Sequence, residues 1–237
     1  MSEFLQISPQ KSKGLDRIIF SNARKLYRDA AILDRAGGSY SSANSLLILS
    51  SEEAIKAILV ILHSEGYRTY GMENAKKFFT DHKMRHQLAK FIELTSGIFE
   101  SFAQYAKQEP VTLIRTPSKG WNDFLNGVLS ILNAAGPVLQ STQRIKLLEE
   151  FNTDKNKGFY VDYFNGYPVV PDIEINKALH DATKDIVLRI FRVYKGCRIL
   201  FHPSVSRRYD PAQVALLKEQ LKELINNAMK DFSFTSL

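Results

Sequence analysis

Two histidines, His82 and His86, are the residues of this sequence best suited to acid-base chemistry. Because they are four residues apart, both imidazoles would share one face of a helix, as an acid-base pair or two metal ligands would require. No nearby carboxylate completes a convincing metal site, so we predict neither a metal ion nor a cofactor. Lys83 and Arg85 offer cations to a phosphate. The cluster favours metal-independent cleavage of RNA, with hydrogen bonding to neighbouring helices as the structural alternative.

A second group of charged residues lies on the segment SSEEAIKAIL, with Glu52, Glu53 and Lys56. Glu52 precedes Lys56 by four residues, the favourable order for a helical ion pair. The simple interpretation is an exposed pair of this kind. The functional interpretation places all three residues around the catalytic histidines.

A long irregular stretch from residue 152 to 172 contains an aromatic, hairpin-like centre. Tyr160 and Tyr163 could stack on RNA bases while Lys157 holds a phosphate, with Asp162 beside them. We therefore predict an RNA-binding loop at these four residues. The alternative is that the aromatic side chains attach the loop to the core.

The composition favours an acidic partner and excludes several protein classes. The 237 residues carry a formal charge of +7, and the isoelectric point is near 9.3, which suits attraction of RNA. The chain has no P-loop, dinucleotide-binding glycine motif, cysteine zinc pattern or serine-nucleophile motif. The N-terminus lacks the pattern of a secretory signal, and no apolar run approaches about 20 residues. We predict a cytoplasmic protein that does not enter a membrane.

Apolar residues recur at steps of three and four in the segments that must position these side chains. The spacing predicts helices over residues 15–36, 41–63 and 172–200. Weaker patterns predict helices within residues 74–107 and 121–132, around residues 145–151, and from residue 211 onward. Strand signals are few, so the fold class is all-α, a helical bundle.

The helix predicted for residues 41–63 has a second face opposite its apolar one. Ser45, Leu49, Glu52, Lys56 and His63 share this face, which is neither clearly polar nor clearly apolar. We predict that it meets a partner, in the form of a helix-on-helix homodimer interface.

Three segments together resemble the AbiV branch of the HEPN superfamily. They are SNARKLYRDAAILDRAGGSYSSANSLLILSSEEAIKAILV, then FFTDHKMRHQLAKF, then NKGFYVDYFNGYPVVPD. Their order also matches, from Asn22 and Ala23 through the Glu52 segment and His82 to Tyr160, Val161 and Asp162. The resemblance covers about residues 14–200.

The resemblance implies a HEPN-like helical bundle at residues 14–202, with an irregular loop insertion and an extra C-terminal helix in residues 203–237. It further implies a homodimer that stops phage growth by shutting down infected cells, acting on RNA or the ribosome, with a phage-encoded protein as a possible activator. Many HEPN proteins are metal-independent ribonucleases, in which an Arg and a His separated by four to six residues meet at a dimer cleft.

This chain departs from that spacing. Arg198 and His202 have three residues between them, and no other arginine precedes a histidine more suitably. His82 and His86 with Lys83 and Arg85 can instead supply the base, the acid and the cation that RNA cleavage needs. The leading interpretation is an abortive-infection ribonuclease that shuts down translation. The alternatives are a HEPN module that blocks translation by binding a protein or the ribosome, and the toxin of a toxin-antitoxin pair.

Overall fold

The computed structural model describes residues 6–37, 39–67, 69, 147–148, 150–151 and 154–204, together with six positions between 211 and 222. Its helices are α1 (Pro9–Ser12), α2 (Leu15–Arg35), α3 (Tyr40–Ser64), α4 (Pro171–Glu174) and α5 (Lys177–Leu200), and its strands are β1 (Asp162–Phe164) and β2 (Tyr167–Val169). The described residues are mostly helical, which confirms the all-α class. The helices predicted within residues 74–107 and 121–132 lie outside the described residues.

Helices α2 and α3 have the bounds that their apolar spacing predicts, to within one residue at each end. A turn at Gly37, with φ of 64°, separates them. Ser39 then caps α3 by accepting a hydrogen bond from the Ser42 amide at 3.2 Å. These local signals fix where the two helices meet.

Helix α3 is the centre of the described bundle, because α2 and α5 both pack against it. It buries 18 of its 25 residues, including the predicted core positions Leu47, Ile58 and Ile61. Ser45 and Glu52, on the face predicted to meet a partner, are buried within this same chain. The expectation of a free second face on α3 was therefore wrong for these two residues.

Aromatic rings join α2 to α5. Phe20 stacks on Tyr194 with ring centroids 3.9 Å apart and meets Phe191 edge-on at 4.8 Å. The Tyr194 hydroxyl donates to buried Asp16 Oδ2 at 2.8 Å, and an Arg198 guanidinium nitrogen lies 3.4 Å from the same oxygen. The carboxylate is thus neutralised inside the helix interface.

The helix predicted from residue 172 to 200 is interrupted. Asn176 Oδ1 accepts a hydrogen bond from the Leu179 amide at 3.0 Å, so that Asn176 caps α5 and separates it from α4. Ile175 is buried at this break, which explains why the apolar spacing continues across it. The helix ends at Leu200, shortly before Pro203 as predicted.

Lys218, a described helical residue of the C-terminal segment, contacts residues that follow α3 and α5. The Tyr67 hydroxyl donates to the Lys218 carbonyl at 3.0 Å, and Lys218 Nζ lies 5.7 Å from the centre of the Phe201 ring. In the described part of the chain, no helix is both long enough and apolar enough to span a membrane.

Candidate functional site

Glu52 forms a buried ion pair with Lys155 rather than with Lys56. Glu52 Oε1 lies 3.4 Å from Lys155 Nζ, and the two side chains are 3% and 10% exposed. The Lys155 carbonyl also accepts a hydrogen bond from Ser45 Oγ at 2.8 Å. The predicted Glu52–Lys56 pair was therefore wrong, because a lysine 103 residues further along the chain occupies this side of α3.

Glu53 and Lys56 form the ion pair at the boundary between α3 and α2. Lys56 Nζ contacts Glu53 Oε1 directly, and Asn22 Nδ2 donates to Glu53 Oε2 at 3.2 Å. Both charged side chains are about one-fifth exposed, at 20% for Glu53 and 24% for Lys56. The three residues connect two helices and remain accessible at the surface.

Residues 154–158, hereafter the buried segment, pack along the same side of α3. Burial, with help from Glu150 and Glu174, raises the pKa of Asp154 to about 6, although Lys157 acts in the opposite direction. Asp154 Oδ2 has no hydrogen-bond partner among the described residues. A Cβ built on Gly158 would lie 2.5 Å from the Ser41 carbonyl oxygen, so only glycine permits this approach.

Residues 159–174, hereafter the hairpin segment, contain most of the predicted RNA-binding loop. Tyr160 and Tyr163 are 69% and 70% exposed. Asp162 Oδ1 accepts a hydrogen bond from the Tyr163 amide at 2.8 Å. Lys157, just before the segment, lies 3.5 Å from Glu174. Both tyrosine rings are exposed, but the Tyr163 hydroxyl donates to the Gly166 carbonyl at 3.0 Å and the nearest lysine is paired with a carboxylate.

The hairpin segment is attached to the start of α3 through Asp172. Its Oδ1 accepts hydrogen bonds from Ser41 Oγ at 2.7 Å and from Ser39 Oγ at 2.8 Å. These two bonds lower the pKa of Asp172. The hairpin thus leaves the bundle beside the turn that joins α2 to α3.

Sequence reasoning missed a row of arginines on α2: Arg17, Arg24, Arg28 and Arg35. All four are exposed. At 100° per residue they fall within an arc of about 40°, and the row is about 27 Å long at 1.5 Å per residue. Their separations of seven, four and seven residues are a helical repeat that could have been found in the sequence.

The four predicted residues His82, Lys83, Arg85 and His86 lie outside the described residues. Arg198 and His202, whose spacing comes nearest to the Arg–His motif, both lie within the described residues. Arg198 contacts Asp16, whereas His202 Nδ1 lies 2.7 Å from Ser204 Oγ and accepts the Ser204 amide at 3.2 Å. The two side chains therefore have separate partners.

The described residues offer little for metal or thiol chemistry. Among them, no three His, Cys, Asp or Glu side chains are grouped closely enough to hold a metal ion. Burial of its thiol raises the pKa of Cys197 to about 12, which keeps the sulfur protonated near neutral pH. Polar and charged surfaces are the better guide to function.

Comparison with known proteins gives one result that covers most of the chain. The family model HEPN_AbiV, described as AbiV, matches residues 12–191, which include both the buried segment and the hairpin segment. No curated protein and no solved structure matches the chain. The match spans well over half of the 237 residues, so this chain belongs to the AbiV family of HEPN-type abortive-infection defence proteins.

Proposed function

We propose that this defence protein acts on RNA, and that the arginine row of α2 holds the RNA backbone. The observation that carries the proposal is the alignment of four exposed guanidinium groups along one helix face. Arginine binds phosphate through paired hydrogen bonds as well as by charge, and a basic stripe along a helix is typical of nucleic-acid contact.

The acidic residues of α2 do not neutralise this row. Asp16 is buried against Tyr194, and Asp34 is half-buried with its carboxylate 3.8 Å from Lys184 Nζ. Asp29, the third acid of α2, is half-buried and forms no ion pair with a described residue. Arg17, Arg24 and Arg28 form no ion pair with any residue that the structure describes. Their charge is therefore available to phosphates.

Cleavage is the finer part of the proposal. His82 and His86 act as the acid-base groups, while Lys83 and Arg85 hold the phosphate being cleaved. The buried Glu52–Lys155 pair has a structural role. Glu53, paired with Lys56 and bonded to Asn22, holds α3 against α2. Cutting RNA of the translation apparatus would then halt the infected cell. If the histidines do not cleave, RNA held on α2 still supports inhibition by occupancy.

Neutralising two arginines of the row tests the RNA-binding step. Arg24→Gln with Arg28→Gln should weaken binding of a short single-stranded RNA roughly ten- to thirtyfold near physiological salt. The slope of log K against log salt concentration should become shallower by about 0.7 for each phosphate that the protein no longer neutralises. Fluorescence anisotropy across a KCl series measures both quantities. Arg192→Gln with Lys195→Gln removes the same charge from exposed positions on α5. Equal losses in the two pairs would contradict a specific row.

The same protein preparations test cleavage. His82→Gln and His86→Gln should abolish RNA cleavage while anisotropy shows normal binding, since Gln keeps hydrogen bonding but moves no proton. Wild-type cleavage should persist in a chelator. Intact RNA with the wild-type protein would favour the occupancy mechanism, and chelator-sensitive cleavage would contradict the histidine mechanism.

A further inference from the structure

Exposed large apolar side chains are concentrated in the hairpin segment. Of the eight that the structure records, six lie there: Phe159, Tyr160, Val161, Tyr163, Tyr167 and Ile173. Three of the six are tyrosines, each at least 69% exposed. Such a concentration of apolar surface marks a site of interaction, and a tyrosine ring presents a flat face on which a nucleobase can stack. The hairpin segment therefore offers a contact that the arginine row of α2 does not.

Tyr163 is held in one position by bonds within the hairpin. Its hydroxyl donates to the Gly166 carbonyl at 3.0 Å, and its amide donates to Asp162 Oδ1 at 2.8 Å. The side chain nevertheless stays 70% exposed. A ring that is already held loses little conformational entropy when a partner binds to it. Tyr163 is therefore well suited to stacking on a base.

The hairpin carries aromatic rings on both of its faces. Tyr163 pairs with Pro168 and Phe164 pairs with Tyr167 across the strands. Because successive residues of a strand alternate in direction, Tyr163 and Tyr167 belong to opposite faces. One base can stack on each face, which places the hairpin between two bases. In a duplex those bases would first have to be unstacked, at a cost comparable to what stacking on tyrosine returns, whereas unpaired RNA avoids most of that cost.

The hairpin segment leaves and rejoins the bundle at the first turn of α3. Gly158, just before the segment, approaches the Ser41 carbonyl. Near the other end, Asp172 accepts hydrogen bonds from Ser41 and Ser39. Arg35, the last residue of the arginine row, is four positions before Ser39, so their Cα atoms are at most about 14 Å apart. The row and the hairpin therefore lie at the same end of the bundle, and one strand can contact both.

The hairpin segment supplies no cation of its own. Residues 159–174 contain three acids but no lysine, arginine or histidine. Asp172 is already bonded by two serines, and Glu174 lies 3.5 Å from Lys157 Nζ. Phosphates are therefore left to the arginine row, and the uncharged bases are the part of RNA that the hairpin can accept. A contact of this kind releases few counterions and should depend little on salt.

We infer that this protein selects unpaired RNA, whose bases stack on Tyr163 and Tyr167 while the arginine row holds its phosphates. This selection rests on the proposed function, because the strand must also reach the row. The binding residues differ from those that the sequence predicts for the loop. Tyr167 is added, whereas Lys157 is paired with Glu174 and Asp162 is bonded to the Tyr163 amide. The hairpin thus distinguishes free bases from paired ones, and the row contributes to both kinds of RNA.

Removing the two rings tests the stacking contact. Tyr163→Ser with Tyr167→Ser should weaken binding of an unpaired RNA of about 16 nucleotides by at least about tenfold, since stacking one base on an aromatic ring is worth about five- to 150-fold in affinity. Fluorescence anisotropy across a KCl series measures this. The slope of log K against log salt concentration should stay at the wild-type value, because no phosphate contact is lost. Tyr163→Phe with Tyr167→Phe keeps both rings and should bind as the wild type does.

A blunt duplex of the same sequence separates this inference from the proposed function. The duplex should bind through the row, so that Arg24→Gln with Arg28→Gln weakens it while both tyrosine variants leave its affinity unchanged. The ratio of the affinities for unpaired and duplex RNA should therefore fall at least about tenfold in the serine variant only. If the arginine pair affected neither RNA, the proposed function itself would fail.

Three results would overturn the selection of unpaired RNA and leave the arginine row intact. They are a serine variant that binds unpaired RNA as the wild type does, a serine variant that loses affinity for both RNAs equally, and a phenylalanine variant as weak as the serine variant. Circular dichroism and thermal unfolding check that each variant folds; both positions are exposed. Tyr167→Ser alone leaves both Tyr163 bonds in place and gives the same test if the double variant is unstable.

Discussion

Residues 154–158 and residues 159–174 are neighbours in the chain, yet the first segment buries charged side chains and the second exposes large aromatic ones. The buried segment places Asp154 and Lys155 inside the protein, at 5% and 8% exposure. The hairpin segment holds large aromatic residues such as Tyr163 and Tyr167 in solvent. Most proteins do the opposite with both kinds of side chain.

The difference shows which half of this region holds the structure together and which half is available to a partner. The buried charges contact α3 directly through Glu52, and Gly158 allows the backbone to approach Ser41. The exposed tyrosines have no comparable role in the core. Changes in the buried segment should therefore lower stability, and changes in the hairpin segment should alter binding.

The largest effect is expected from breaking the buried ion pair. Glu52→Gln leaves the Lys155 ammonium buried without a carboxylate, which should lower the free energy of unfolding by about 3 kcal/mol. Urea denaturation monitored by circular dichroism measures this. Asp162→Asn removes an exposed acid from the hairpin segment and should change stability by less than about 0.5 kcal/mol. Adding Lys155→Met to a Glu52→Leu variant should recover stability; no recovery would mean that the ion pair is not the cause.

A smaller loss of unfolding free energy should follow from adding one methyl group at Gly158. Its Cβ would overlap Ser45 Oγ and the Ser41 carbonyl, so Gly158→Ala should cost about 2 kcal/mol in the same measurement. Gly166→Ala is the matched change in the hairpin segment. No atom lies near its added Cβ, but the φ of 86° strains the turn. Hydrogen exchange should show faster exchange only in the hairpin of Gly166→Ala. If Gly166→Ala lowered the free energy of unfolding more than Gly158→Ala, the comparison would be reversed.

The remaining effects concern pH. Because the pKa of Asp154 rises to about 6 on folding, its proton favours the folded state. Stability from this group is complete below about pH 4 and is lost as the pH rises to about 6, since an unfolded Asp titrates near 3.9. Asp154→Asn should remove that decline from a series of denaturation curves.

Asp172, in the hairpin segment, should have the opposite pH dependence. Hydrogen bonds from Ser41 and Ser39 lower its pKa, so its contribution is present at neutral pH and is lost as the pH falls through the folded-state pKa. Asp172→Asn should therefore reduce the acid-side loss. If both variants changed the pH profile in the same direction, the contrast between the two carboxylates would be wrong.

The sequence by itself determined much of the local structure in the part of the chain that the structure describes. Spacing of apolar residues predicted α2 and α3 closely, and the hairpin-like centre of residues 152–172 was also predicted correctly. Such patterns succeed because helix periodicity and turn chemistry depend on residues only a few positions apart. The all-α class followed from the same patterns. The family resemblance rested instead on three sequence segments and their order, and the family match confirms it.

The tertiary structure alone decided the partners of charged residues and the exposure of aromatic ones. Lys155 reaches Glu52 across 103 positions of the chain, and no local pattern marks that contact. The spacing of Glu52 and Lys56 favoured a pair that the fold replaced with two others. Whether Tyr163 supports the core or faces solvent depends on which elements pack beside it, because an aromatic side chain suits both surroundings.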